Sequence, residues 1–164
     1  MSRTPEADEL REDLLAELRS QGAKLEKLSD MAEKEEHTAL KVLFQKLGGS
    51  GREVYILGGV GLLNIHVSMD RPAWWNVMKS VKASFDWWTK QTGQQCFYVF
   101  LTPRKDGMLT GYLASDFDAD PFVQHPSEQQ TKFMVKADKH LNPLRRIASA
   151  KRIAELLLGS SPTP

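Results

Sequence analysis

The run Cys96-Phe97-Tyr98-Val99-Phe100-Leu101 contains no charged side chain and no polar alternation. Aromatic and β-branched residues in such a run read as a strand. Successive strand side chains point to opposite faces, so this strand must be covered on both. It is therefore placed at the centre of a sheet. Apolar residues make up 41% of the 164-residue chain, enough for a core of that kind in a single domain.

Around this strand the other elements fall into order. The stretch "REVYILGGVGLLNIHVSM" reads as two strands turning at Gly58-Gly59. "RKDG", with its Asp-Gly pair, is a hairpin turn into a returning strand, "MLTGYLAS". "TKFMVKA" is a short further strand, and "ASAKRIAELLLG" a last helix ended by Gly159. Pro72 follows Asp70, a possible N-cap, and opens a helix expected to run to about Gln91 and stop at Gly93. Along it Trp74, Met78, Val81, Phe85 and Trp88 repeat at helical spacing and form the face toward the sheet. Trp75 and Trp87 fall off that stripe and are candidates for a partner-binding surface.

Residues 6 to 47 carry a different pattern. Leu14, Leu18, Leu25, Leu28, Ala32, Ala39 and Val42, with Gln21 and Glu35 between them, follow the heptad spacing of a coiled coil. Gly22 interrupts it, which leaves two helices, about 7 to 20 and 30 to 47, as the alternative. "GGSG" at 48 to 51 reads as a flexible joint. The expected fold is α+β: an antiparallel sheet of four to five strands covered by helices, with an N-terminal coiled-coil-like arm. Its parts are the arm (1–47), the joint (48–51), the α+β domain (52–159) and a frayed tail (160–164). No residue pattern marks a known family. The element order alone resembles the small sheet-and-helix regulatory folds of the profilin, GAF and roadblock kind.

Net charge is +1, but it is unevenly spread. Residues 1–47 carry −3, 48–105 carry +4, 106–128 carry −5 and 129–164 carry +5. In the last block Lys132, Lys136, Arg145, Arg146, Lys151 and Arg152 are the candidate nucleic-acid contacts, since such a cluster can neutralise phosphates. In the acidic block Asp116, Asp118 and Asp120 alternate as in a calcium loop. Pro121 stands where that loop needs its sharp-turn glycine, and Ser127 where it needs a bidentate glutamate, so no calcium loop is expected. A looser magnesium site from Asp116, Asp118, Asp120 and His125 is the alternative. Gln130-Thr131-Lys132 also fits the Gln-x-Lys spacing of a restriction-type nuclease, a weak three-residue signal in which Asp116 and Asp118 would supply the acids.

The single Cys96 excludes an internal disulfide and a thiol-built zinc site. No run approaches the roughly 20 apolar residues of a membrane span, and the N-terminus lacks a signal-peptide core, so a cytoplasmic protein without a cofactor is expected. His66 alternates with Ile65 and Val67 and reads as a half-exposed strand histidine. The function these features suggest is association rather than catalysis. The arm, through Leu14, Leu18, Leu25 and Leu28, would join the protein to itself or to another protein, and the basic segment would meet DNA or RNA. A metal-dependent nuclease or phosphodiesterase is the rival.

Overall fold

A computed structural model describes residues 5–34, 38–70, 74–103, 109–114, 132–136, 146–147 and 150–159. In chain order its elements are α1 (Pro5–Ser20), β1 (Leu25–Lys27), α2 (Leu28–Ala32), α3 (Thr38–Leu47), a 3-10 helix (Gly48–Glu53), β2 (Val54–Leu57) and β3 (Gly61–Val67). There follow β4 (Trp74–Met78), α4 (Lys79–Thr92), β5 (Gln95–Pro103), β6 (Leu109–Ala114), β7 (Lys132–Lys136), β8 (Arg146–Ile147) and α5 (Ala150–Gly159).

The main sheet has the order β1-β2-β3-β5-β6-β8, and β4 pairs with β7 in a separate ribbon. The sheet is mixed, not antiparallel as expected, because β3 and β5 run parallel. The reason is topological. A helix between two adjacent strands carries the chain back to its starting end, so the second strand repeats the direction of the first. Gly61, with φ at +154°, opens β3 opposite Gln95. A Cβ there would land on the Gln95 carbonyl oxygen, so only glycine lets the two strands start this close.

The central strand behaves as its composition requires. Phe97, Val99 and Leu101 enter one core with Leu63, Ile65, Leu14, Leu18, Ile153 and Leu157. Cys96, Tyr98 and Phe100 enter the other with Leu62, Trp75, Val81, Phe85 and Trp88. Helices α1 and α5 thus cover one face of the sheet, and α3, α4 and the β4–β7 ribbon cover the other.

The N-terminal segment is not a coiled-coil arm. α1 ends in a left-handed Gly22 at φ +90°. The Ala23 amide donates to the Leu18 carbonyl and the Gly22 amide to that of Arg19, both at 3.0 Å, which is a Schellman stop. The chain then adds β1 to the edge of the sheet, with Leu25 opposite Leu57. The heptad leucines are shared between two cores: Leu14 and Leu18 in one, Leu28 in the other, all at 0% exposure. In α3 the buried face is Leu43 and Leu47, and the expected seam residue Val42 is 38% exposed. Burying apolar area against the chain's own sheet, at about 25 cal/mol per Å², leaves little for a partner helix to gain. "GGSG" is a 3-10 turn rather than a loose joint. Gly51 is buried, and a Cβ on it would stand 2.9 Å from the Phe44 ring.

Within the helix expected from Pro72, Trp74–Met78 is a strand, and the helix begins only at Lys79. Trp75 and Val77 are buried on alternate positions and the ribbon pairs Trp75 with Val135. From Lys79 onward the expected stripe holds: Val81, Phe85 and Trp88 face the core and Gly93 caps the helix in the left-handed conformation. The turn at Gly58-Gly59, the strands on either side of it and the last helix stand as the sequence reads.

Candidate functional site

Surface chemistry in this fold is divided by the sheet. Helix α1, "PEADELREDLLAELRS", carries six acids against two arginines. Beside it α5 adds Lys151, Arg152 and Glu155, which leaves that layer negative. On the opposite face α3 carries two lysines and no acid. α4 adds three lysines and one aspartate. Apolar stripes at 3.6-residue spacing turn each helix inward, and the charges are what remains outside.

The α3–α4 face has a defined local structure. Val42 and Lys46 are exposed on α3, as are Ala83 and Lys90 on α4. Between them Trp87 is half-buried, and the Lys46 ammonium lies 4.9 Å from its ring centroid. A cation over an indole face contributes roughly 0.5–1 kcal/mol when exposed. Here it ties α3 to α4. Lys82 is 9% exposed and donates to both oxygens of Asp86, at 3.0 and 3.2 Å. The one acid of α4 is therefore engaged, while Lys46 and Lys90 present their charge to solvent.

No family model, curated protein or solved structure matches the chain. Resemblance in element order to regulatory folds therefore carries no argument, and function has to come from the residues themselves.

Of the sequence-derived partner residues, Leu14, Leu18, Leu28 and Trp75 are fully buried in the protein's own core. Leu25 is half-buried against that core, and Trp87 alone of this set borders an open helical face. Among the basic residues, Lys151 and Arg152 are exposed at the start of α5. Backbone pairing sets Lys132 opposite Met78, Lys136 opposite Trp74 and Arg146 opposite Tyr112. Arg145 and the acidic-loop residues Asp116, Asp118, Asp120, His125 and Gln130 lie outside the described residues. Among the described residues no group of three or more His, Cys, Asp or Glu side chains is placed to hold a metal, and no helix is long and apolar enough to cross a membrane.

Cys96 and His66 share a sheet face but pair with Leu62 and Phe100 respectively. Four residues along a strand separate them by about 13 Å, too far for a nucleophile and its base. His66 stacks on Phe100, with centroids 5.4 Å apart and planes at 18°. Its Nε2 is buried and has no partner among the described residues. Burial, and secondarily the charge of Arg11, lowers its pKa from 6.5 to about 3. Such an imidazole is neutral at ordinary pH and poorly matched to general-base work near pH 7.

Sequence reasoning missed the lysine-rich α3–α4 face and the buried Arg11. Both left a signal. α3 has lysines but no acid, and Arg11 continues the Leu14–Leu18 heptad backward onto a core-facing position.

Proposed function

We propose that the protein is a non-catalytic association module. In it the acidic outer face of α1 from one copy docks on the basic α3–α4 face of the next. The observation that carries this reading is the charge division across the sheet, six acids to two arginines on α1 against five lysines to one aspartate on α3 and α4. Trp87 in the middle of the basic face supplies the apolar centre that charge alone lacks. α3 and all but the first residue of α1 belong to residues 6–47, so in this reading that part of the chain makes the contact through its outer residues rather than its leucines. Unlike patches meeting head to tail give rings or open chains rather than closed dimers.

Light scattering is expected to show a mass above monomer at low salt, falling as salt screens the faces over about 10 Å at 0.1 M. Reversing one face with Lys46→Glu and Lys90→Glu abolishes association, and so does reversing the other with Glu9→Lys and Asp13→Lys. Mixing the two reversed proteins restores it, because each then offers the face the other needs. A monomer at every salt concentration, or a mixture that stays monomeric, would end the proposal.

A second reading, binding of DNA or RNA, is favoured by the adjacent, exposed Lys151 and Arg152 in the first turn of α5. Arg152 also meets Glu155 at 3.1 Å, but an ion pair this exposed holds it weakly. Retention on duplex DNA at about 50 mM salt is expected, and replacing both residues with alanine reduces the salt slope by about 0.9 for each. Absence of retention refutes this reading without touching the first.

A further inference from the structure

The edge of the sheet between α1 and β2 holds a cleft of about 670 Å³, within the range of about 300–1,000 Å³ typical of small-ligand sites. Asp8, Arg11 and Glu12 of α1, Lys27 of β1, and Glu53 and Tyr55 around the start of β2 line it. Arg11 is only 9% exposed. Its Nη1 donates to Asp8 at 3.0 Å, while its buried Nε has no partner among the described residues. Arg11 lines the cleft, and the planar fork of a guanidinium suits a carboxylate. Across the cleft Glu12 is exposed and Glu53 half-buried, with Lys27 exposed beside them.

Three carboxylates and two cations decide the ligand class. A plain anion placed here would face three acids. A plain cation would face the buried guanidinium. A molecule bearing both charges satisfies each wall with the opposite sign. We infer that this cleft binds a small zwitterion of the amino-acid type, its carboxylate toward Arg11 and Lys27 and its ammonium toward Glu12 and Glu53. This assignment is independent of the association proposed above, although Glu12 borders both surfaces.

The experiment is a titration of the full-length ¹⁵N-labelled chain with L-alanine or L-glutamine, and separately with acetate and with methylammonium. It is run at about 0.5 M salt, where charge-driven docking between copies is screened. Saturable shifts are expected at the Arg11, Lys27 and Glu53 amides. Acetate and methylammonium should bind at least about tenfold more weakly, each keeping one of the two charged contacts. Lys27→Met and Glu53→Gln should each weaken the amino acid by about tenfold. Lys27 is exposed, so its variant keeps the fold even if changes at Arg11 do not. No saturable shift by about 10 mM amino acid, acetate binding as tightly as L-alanine, or unchanged affinity in both variants would overturn the assignment. Failure here with association intact removes the cleft ligand alone.

Discussion

Trp75→Ala is expected to lower unfolding free energy by about 3–5 kcal/mol, the usual cost of truncating a fully buried tryptophan. Trp75 is 0% exposed. Its indole lies 5.3 Å from the Phe100 ring and 6.0 Å from that of Tyr112, centroid to centroid. Its Nε1 donates to the Leu101 carbonyl at 3.0 Å, fastening the β4–β7 ribbon to the central strand. The same carbonyl also accepts from the Ser68 amide at 2.9 Å. Trp75→Phe therefore leaves the acceptor satisfied, and the loss should fall to about 1–2 kcal/mol. A domain is commonly stable by only about 5–15 kcal/mol, so the alanine variant should unfold at clearly lower urea. A residue serving mainly as a partner contact would behave the opposite way, with association lost and the urea midpoint unmoved. A drop below about 1 kcal/mol would show that the indole is not packed as described.

The contrast between Trp75 and Trp87 shows what the sequence could reveal. On a helical reading both leave the stripe of Val81, Phe85 and Trp88. For Trp87, which lies inside α4, that places it at the border of the core, where it is found. For Trp75 the helical premise fails. "WWNVM" fits a strand as well as a helical turn, and the choice is made by β7, a partner far along the chain that local periodicity does not see. The mixed sheet was hidden for a related reason. Apolar alternation fixes which faces of β3 and β5 are buried, but not their relative direction. The β2–β3 turn, the double-faced β5 and the Gly93 cap were legible because each is decided within a few residues. The heptad misled because a core of two faces can use leucines at the same spacing as a coiled coil once Gly22 has turned the chain. Of the candidate surfaces, only the charge excess of single helices was visible in advance, and it becomes a division across the sheet only when α1 and α3–α4 are placed on opposite faces.

That placement also governs the response to acid. His66 is half-buried, as its alternation with Ile65 and Val67 implies, but its Nε2 is enclosed, and burial with the Arg11 charge lowers its pKa to about 3. Unfolding returns the imidazole to its ordinary value near 6.5. Below that pH the unfolded chain takes up a proton that the folded chain refuses until about pH 3, so the unfolded state binds more protons. His66 is therefore neutral in sign above pH 6.5 and costs stability progressively as pH falls toward 3, at about 1.4 kcal/mol per unit. By pH 4 the accumulated loss is about 3 kcal/mol. Carboxylates titrate in the same range, so the contribution is isolated by comparison with His66→Phe, which preserves stacking on Phe100 and cannot be protonated. Urea unfolding of the two proteins between pH 7 and pH 4 should show the native chain losing about 3 kcal/mol more than the variant. In the folded protein the His66 ring resonances should not move over that interval. A midpoint near 6.5 in those resonances, or parallel stability curves for the two proteins, would mean that water reaches Nε2 of this half-buried imidazole.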